Sequence, residues 1–294
     1  MKLLHKLSGY VELVRPHNVL VAVLNGIVGF VTVAWLTGCL DNACLYPALA
    51  AIALVAAGGY VVNDYFDADI DAISKPSRPI PSGRVTPGEA HLFALALLAL
   101  GVYAGFSLSI LHGLYALIVA MLLYAYPAWM KRRRALTGHL TVAATGASTI
   151  IYGGLAAGVC CNSLDASLLA SSIPAAYAFT LILAREFVKA LEDFEGDSAR
   201  GAATIATRYG IRTARSAAIA LLLCVAVAAP LPALIGPYGA VYLALASMVI
   251  LLNVYSIRLL VRGEYPKARR ALKIAFGFGG LAFLAEPVLA LILR

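Results

Sequence analysis

Four carboxylates lie within nine residues in the stretch Asn63-Asp64-Tyr65-Phe66-Asp67-Ala68-Asp69-Ile70-Asp71, although 62% of the chain is hydrophobic. A charged side chain costs about 2.5–3.5 kcal/mol at the centre of a bilayer on insertion scales, so this acidic cluster after an apolar run indicates a functional site. Asn63, Asp67 and Asp71 recur every four residues and form one stripe on a helix. Their oxygens would repel one another, and a hard divalent cation removes that repulsion.

The composition around this stretch is that of a polytopic membrane protein. Only 13% of the 294 residues are charged, compared with about 25% in soluble proteins, and the mean hydropathy is +0.86. We expect one membrane domain over residues 1–294, without a cleavable signal peptide. Apolar runs of about 20 residues predict nine spans, with the third and fourth meeting at His112-Gly113. The predicted spans are 17–37, 45–66, 88–111, 113–130, 138–159, 166–190, 213–234, 237–257 and 271–293.

The positive charges predict the orientation of these spans. When alternate loops are assigned to opposite faces, all of the 23 Lys and Arg residues except Arg294 fall on one side. The positive-inside rule then predicts a cytoplasmic N-terminus and an outside C-terminus in the cell membrane. The net charge of +8 is therefore a topology signal that suits anionic membrane lipid, and we do not expect nucleic-acid binding.

Four of the five cysteines fall in two loops on the outer side. Cys39 and Cys44 lie in one loop, and Cys160 and Cys161 lie in the other. On an oxidising side these cysteines can form disulfides. They would serve equally well as small apolar residues at helix interfaces, and the sequence leaves both interpretations open.

A second acidic cluster closes the sixth predicted span. Arg185, Lys189, Asp193 and Asp197 share a four-residue period, and the predicted topology places them on the same side as the first cluster. Either stripe alone would be explained as a solvated helix end. Both together are explained by carboxylates that hold Mg²⁺, a Mg²⁺ that holds a diphosphate, and cations that hold the remaining phosphate oxygens.

These motifs resemble the signatures of the UbiA superfamily of intramembrane prenyltransferases. The first signature is similar to Asn63-Asp64-x-x-Asp67-x-x-x-Asp71 with the following Arg78-Pro79-Ile80-Pro81-Ser82-Gly83-Arg84, and the second is similar to Asp193-x-x-x-Asp197. The resemblance implies an all-α membrane fold of nine transmembrane helices around a central cavity. It also implies Mg²⁺-dependent transfer of a polyprenyl group from its diphosphate to a lipophilic acceptor, with the active site on the cytoplasmic side.

The resemblance also implies roles for individual residues. Two Mg²⁺ ions are expected on Asn63, Asp67, Asp71, Asp193 and Asp197. Asp64 is expected beside these ligands, and the catalytic set is Asp64, Asp67, Asp71, Asp193 and Asp197. Contacts to the prenyl diphosphate are expected from Asn63, Arg78, Lys131, Arg132 and Lys189. Aromatic faces that attract an allylic cation are expected among Tyr60, Tyr65, Tyr124, Tyr126 and Tyr177.

The segment 185–204 is most similar to the ether-lipid branch of the superfamily. That similarity implies transfer of a geranylgeranyl group to geranylgeranylglyceryl phosphate in phospholipid synthesis. Arg15, Arg84 and Arg208 are candidates for the phosphate of this acceptor. One departure from the pattern is Ala190, where many relatives have Asp. Aromatic acceptors of the 4-hydroxybenzoate, quinone-precursor or chlorophyllide type remain the alternative.

A cation transporter is the alternative from a different class, because intramembrane carboxylates also mark ion pathways. A transporter should carry ionisable residues near the middle of its spans. In this sequence the outer halves of the spans are nearly free of them, and Glu286 is the exception. This distribution favours the enzyme.

Overall fold

The computed structural model describes residues 2–39, 41–130, 135–199 and 201–293. Across these ranges the chain forms helices, turns and loops, without a β-strand. A π-helical turn, Tyr126–Met130, extends α6. The helices are α1 Lys2–Val14, α2 Pro16–Thr37, α3 Leu45–Phe66, α4 Ala68–Ser74, α5 Pro87–Leu108, α6 Ile110–Ala125, α7 Ala135–Cys160, α8 Leu164–Glu192, α9 Phe194–Ala199, α10 Ile205–Tyr209, α11 Ile211–Ala228, α12 Leu231–Leu234, α13 Ala240–Val261 and α14 Tyr265–Ile292.

Within the described ranges, nine segments are long and apolar enough to span a membrane, which confirms the predicted number. Their boundaries follow the predicted spans closely, except that the ninth begins earlier, at Tyr265. The nine are α2, α3, α5, α6 with the π-helical turn as far as Ala128, α7, α8, α11 with α12, α13 and α14.

The turn between the third and fourth spans lies at Ser109, so its predicted position at His112-Gly113 was wrong. α5 ends at Leu108 and α6 begins at Ile110. The Ser109 side chain caps α6 by accepting a hydrogen bond from the His112 N–H at 3.2 Å, a role that serine favours. His112 is fully buried, with Nδ1 2.8 Å from the Ser109 hydroxyl. These partners are what allow a polar residue inside a span.

The spans pack as two halves that meet where α2 crosses α7. One apolar core joins α2, α3, α5, α6 and part of α7, and a second joins α7, α8, α11, α13 and α14. At the crossing, a Cβ on Gly29 would lie 1.8 Å from the Ile150 carbonyl oxygen, and a Cβ on Gly153 would lie 1.9 Å from that of Gly26. Small residues allow such close backbone approach between membrane helices.

Two disulfides join the α2–α3 connection to the α7–α8 connection. They pair Cys39 with Cys161 and Cys44 with Cys160. The structure therefore decides between the two interpretations of these cysteines in favour of disulfides. We call this end of the bundle the disulfide end. The opposite end, where α3 and α8 stop at Asp67 and Asp193, is the motif end.

Glu286 has a capping role near the disulfide end. Its Oε2 accepts hydrogen bonds from the N–H groups of Gly239 at 2.7 Å and Tyr242 at 3.2 Å, at the start of α13. The first N–H groups of a helix lack intrahelical partners, and a carboxylate there is stabilised by the helix dipole. Glu286, the exception in the argument against an ion pathway, is therefore explained as a helix cap.

α1 precedes the first span and was not predicted from the sequence. Leu4, Leu7 and Val11 are exposed on α1, whereas Leu13 is fully buried against the first core. A helix with an exposed apolar face beside a membrane span is typical of an interfacial helix. α1 packs against α3, so it lies next to the helix that carries the first motif.

Candidate active site

The first motif is built around a break in the helix that carries it. α3 ends at Phe66, Asp67 adopts φ −90° and ψ 0°, and α4 begins at Ala68. The Asp71 N–H donates to the Asp67 carbonyl at 2.8 Å, so the four-residue stripe continues across the break. Asn63 Nδ2 donates to Asp67 Oδ2 at 3.0 Å. The structure thus places Asn63 and Asp67 side by side, as the spacing predicted.

The second motif repeats this construction. α8 ends at Glu192, Asp193 adopts φ −88° and ψ 6°, and α9 begins at Phe194. The Asp197 N–H donates to the Asp193 carbonyl at 2.9 Å. Each motif therefore sets one aspartate at the hinge between a long and a short helix. A second aspartate follows one turn later.

Two arginines neutralise the buried carboxylates of the first motif. Asp64 and Asp71 are each only 5% exposed. Asp64 Oδ1 accepts hydrogen bonds from Arg15 and, at 3.3 Å, from Arg78 Nη1. Arg78 Nη1 also donates to Asp71 Oδ2, so Arg78 bridges the two carboxylates. A buried charge is tolerated when it is paired and hydrogen-bonded in this way.

Arg78 is presented by a loop that is anchored in the first core. The loop residues Ile80 and Val85 are 7% and 0% exposed, and the Val85 N–H donates to the Pro79 carbonyl at 3.1 Å. Gly83 has a φ of +72°, which glycine adopts without strain. The Arg78-to-Gly83 phrase is therefore a tight, packed turn that directs Arg78 to the acidic stripe.

The three arginines predicted for the acceptor phosphate have different surroundings. Arg84 Nη2 donates to the Ser77 carbonyl at 2.7 Å and forms an ion pair with Glu12 at 2.6 Å, so Arg84 braces the loop against α1. Arg208 is exposed at the end of α10. Arg15, the third candidate, is engaged by Asp64.

The two motifs lie close together at the motif end. Tyr126, in the π-helical turn, interacts electrostatically with Asp67 of the first motif and with Glu186 on α8. His139 on α7 interacts with Glu186 and with Asp197 of the second motif. α3 and α8 therefore end around a shared polar region, which the α6–α7 segment also borders.

Cations from both halves enter this region. Burial and then the guanidinium of Arg78 lower the pKa of Lys75, with Lys189 and Arg15 acting in the same direction and Asp71 opposing them. Lys189 is exposed on α8, close enough to Lys75 for mutual repulsion. Repelling cations on opposite sides of a polar region favour binding of an anion between them.

The oxygen donors of the two motifs suit Mg²⁺, but they supply only part of its coordination shell. Carboxylate and amide oxygens are the ligands this ion takes. Among the residues that the structure describes, no three His, Cys, Asp or Glu side chains lie close enough to hold a metal ion. Mg²⁺ usually takes one or two carboxylates and completes its shell with substrate phosphates and water, so this spacing suits a substrate-completed site.

The remaining predicted residues have varied surroundings. Lys131 and Arg132 lie outside the described residues. Ala190 is 3% exposed within the second core. The Arg15 guanidinium lies 5.4 Å from the centroid of the Tyr60 ring. Tyr65 and Tyr124 pack with His91.

Glu186 had no predicted role at the site, and Arg185 was predicted only as one of the cations of the second stripe. Glu186 is 8% exposed and interacts with Tyr60, Tyr126 and His139. The available signal was a charged pair two helical turns before Asp193, inside an otherwise apolar span. Charged residues at that depth are costly and mark function.

Within the described residues, nine helical segments of membrane-spanning length with paired aspartate hinges form the arrangement of an intramembrane prenyltransferase. The chain matches the UbiA prenyltransferase family over residues 22–283 and belongs to that family, as the motifs predicted. It is similar to the digeranylgeranylglyceryl phosphate synthase of Hyperthermus butylicus, with 42% identity over 97% of this chain and 98% of the relative.

Two solved structures show the same architecture. A structure of digeranylgeranylglyceryl phosphate synthase in membranes superposes with a TM-score of 0.79 and 30% identity, covering 96% of this chain and 99% of the other. A UbiA homologue from Archaeoglobus fulgidus, bound to GPP and Mg²⁺, superposes with a TM-score of 0.61 at 15% identity, covering 94% and 99%. The all-α, multi-pass membrane fold is thereby confirmed.

Proposed function

We propose that this protein transfers a geranylgeranyl group from geranylgeranyl diphosphate to the free hydroxyl of geranylgeranylglyceryl phosphate, giving the second ether of a phospholipid precursor. The observation that carries the proposal is the pair of aspartate hinges, with the same backbone geometry, at one end of the bundle. The similarity to synthases named for this product, over almost the whole chain, supports the acceptor.

Asn63, Asp67 and Asp71 from one half, and Asp193 and Asp197 from the other, would hold two Mg²⁺ ions. The homologue bound to GPP and Mg²⁺ supports this assignment. When bound, Mg²⁺ stabilises the negative charge that develops on the leaving diphosphate. The carboxylates would face the metal ions, so the repulsion between carboxylate and diphosphate becomes an attraction.

The cations of the site would bind the diphosphate oxygens. Arg78 is fixed between Asp64 and Asp71, and its planar guanidinium suits phosphate oxygens. Lys189 approaches from the other half. Asp64 would keep Arg78 and Arg15 in position rather than touch the substrate. We assign Lys131 and Arg132 to the diphosphate as well, although both lie outside the described residues.

In the reaction, the bond between prenyl C1 and the diphosphate oxygen breaks, and its electron pair leaves with the diphosphate. The acceptor hydroxyl oxygen forms a bond to C1 and releases its proton to a nearby carboxylate or to the diphosphate. A weak base is sufficient because the electrophile is an allylic cation. The ring faces of Tyr60 and Tyr126, beside the acidic stripes, would stabilise that cation.

We further propose that the whole chain acts as one domain in the cell membrane, with its N-terminus and motif end on the cytoplasmic side and its C-terminus outside. The distribution of Lys and Arg supports this orientation. The two disulfides at the opposite end support it as well, because disulfides persist where the compartment is oxidising.

A panel of acceptors tests the proposed function. Purified protein in lipid would receive geranylgeranyl diphosphate, Mg²⁺ and one of four acceptors: geranylgeranylglyceryl phosphate, 4-hydroxybenzoate, a naphthoquinone precursor or chlorophyllide. We expect diphosphate release and an ether product only with the glyceryl phosphate. Prenylation of an aromatic acceptor instead would transfer the assignment to the aromatic branch of the family.

A further inference from the structure

An apolar cavity lies between helices of both halves. It contains about 560 Å³ of empty space, counted out to its open mouth. α2, α7, α8, α11, α13 and α14 contribute to its wall. Gly279 and Gly280 on α14 leave one side of the cavity open, since a Cβ on either would meet no atom within 4 Å.

Arg185 follows the cavity-lining stretch of α8 in the direction of the motif end. α8 lines the cavity with Pro174, Ala178 and Leu181, and Arg185 follows Leu181 by four residues on the same helix face. Four residues advance a helix by about 6 Å, and Arg185 is about 12 Å from Asp193 along the axis. Along α8, Arg185 therefore lies between the cavity-lining residues and the aspartate hinge at Asp193.

The guanidinium of Arg185 is incompletely paired. Its Nε is buried without a hydrogen-bond partner. Its Nη2 lies 3.6 Å from Glu186 Oε1, which is beyond hydrogen-bond length. The side chain is 35% exposed, so a ligand can reach it. An unsatisfied donor at this depth is costly, so the guanidinium is not held by a complete set of partners in the described residues.

Tyr60 places Arg185 opposite the start of α2. The Arg15 guanidinium lies 5.4 Å from the centroid of the Tyr60 ring, and Arg185 on α8 also interacts electrostatically with Tyr60. Arg15 is committed to Asp64. Of the two described arginines that interact with Tyr60, Arg185 is therefore the one that retains donors for a ligand.

We propose that this cavity and Arg185 form the acceptor subsite, in which the cavity holds the isoprenoid chain and Arg185 binds the phosphate monoester. The inference rests on the proposed function. The planar guanidinium offers two parallel N–H donors that match phosphate oxygens. The acceptor phosphate then lies apart from the metal-bound diphosphate, with the reacting hydroxyl between them.

Steady-state kinetics with two acceptors test the subsite. The acceptors are geranylgeranylglyceryl phosphate and geranylgeranylglycerol, which lacks the phosphate. In Arg185→Gln we expect the KM for the phosphorylated acceptor to rise about 10- to 100-fold, the effect of losing a charged hydrogen bond. The KM for geranylgeranyl diphosphate, and turnover of the alcohol acceptor, should stay at the wild-type values. Arg185→Lys, which keeps the charge but loses the two parallel N–H donors of the guanidinium group, should give an intermediate KM.

Two controls separate the phosphate from the chain. Arg262→Gln removes an equal charge from the exposed α13–α14 turn and should change neither KM. Free glycerol phosphate should inhibit the wild type competitively against the acceptor, and this inhibition should be lost in Arg185→Gln. Gly280→Leu, which fills the cavity, should raise the KM for the geranylgeranyl acceptor more than that for a geranyl acceptor.

The outcomes distinguish the subsite from the proposed function. An Arg185→Gln enzyme that loses both acceptors equally, or keeps the wild-type KM for the phosphorylated one, overturns the subsite alone. A wild-type enzyme that alkylates neither glyceryl acceptor but prenylates an aromatic one overturns the proposed function and the subsite with it.

Discussion

The two aspartate motifs have the same backbone and different partners. Asp67 and Asp193 adopt nearly equal dihedral angles at their hinges. In the first motif, arginines from elsewhere in the chain neutralise the buried carboxylates, and Arg78 bridges Asp64 to Asp71. In the second motif, the cations that share the four-residue stripe with Asp193, Arg185 and Lys189, belong to the same helix.

This difference suggests that the two halves have different roles in binding the substrate. The first half is already assembled around an arginine bridge, so it offers a rigid surface to metal and diphosphate. In the part of the chain that the structure describes, no carboxylate pairs with Lys189, and Arg185 has only the long contact to Glu186. The second half therefore brings cations that a ligand can satisfy.

The largest effect is expected from removing either hinge aspartate. Asp67→Ala and Asp193→Ala should each lower prenyl transfer by about 10³-fold or more, because loss of a single oxyanion donor already costs about 10²–10³ in rate. The measurement is diphosphate release with Mg²⁺ and acceptor. Asp69→Asn changes an exposed acid beside the first hinge and should remain active. Full activity in either alanine variant would contradict the claim that both hinge aspartates are required.

The disulfides test whether the two motif helices need a clamp at their far ends. Cys44 immediately precedes α3, and its partner Cys160 is the last residue of α7, just before the connection to α8. The two bonds span 122 and 116 residues, so each closes nearly the same loop. Losing one should cost less than about 1 kcal/mol, and losing both should cost a few kcal/mol, up to about 4.7.

Thermal unfolding in detergent measures this cost. The comparison uses Cys39→Ser with Cys161→Ser, the same pair of changes at Cys44 and Cys160, and all four changes together. Cys224→Ser, at the free cysteine, should unfold like the wild type. Equal losses from each single pair, summing to the full loss, would show that the bonds act independently.

Conservative exchange of the two cations sharpens the contrast between the halves. Arg78→Lys should raise the KM for geranylgeranyl diphosphate about 10-fold or more. A lysine cannot bridge two carboxylates and also donate two parallel hydrogen bonds to phosphate oxygens. Lys189→Arg should change the same KM less than about threefold, since an exposed point charge is retained. Equal sensitivity of the two positions would contradict the preassembled first half.

The smallest effect concerns Lys75, whose pKa is lowered by burial and by Arg78. The unfolded chain binds this proton more tightly, so the stability cost is present at neutral pH. It disappears as the pH rises from the lowered pKa towards 10.5. Because Lys75 is largely exposed, Lys75→Gln should stabilise by less than about 1 kcal/mol at pH 7. The difference between the free energies of unfolding at pH 7 and pH 10 should be smaller in the variant than in the wild type. An equal difference in the two proteins would contradict this account.

The sequence predicted the spans and motifs because both depend on local patterns. Apolar run length gave nine spans, and the four-residue spacing placed Asn63 beside Asp67. The Ser109 cap, the disulfide pairing and the Arg78 bridge depend on contacts between distant segments, which spacing does not reveal. Arg185 was visible as a charge, but its unpaired Nε and the neighbouring cavity appear only once the helices pack.

The central claim is that both motifs hold one metal–diphosphate group. Calorimetric titration with geranylgeranyl thiolodiphosphate, a slow-reacting analogue, tests it in wild type, Asp67→Asn, Asp193→Asn and the double variant, with and without Mg²⁺. Each single change should weaken Mg²⁺-dependent binding by at least about 100-fold, and the double variant should bind no worse than the weaker single, because groups that act on one ligand are not additive. Wild-type affinity in either single variant, or losses that add as at independent sites, would contradict the claim.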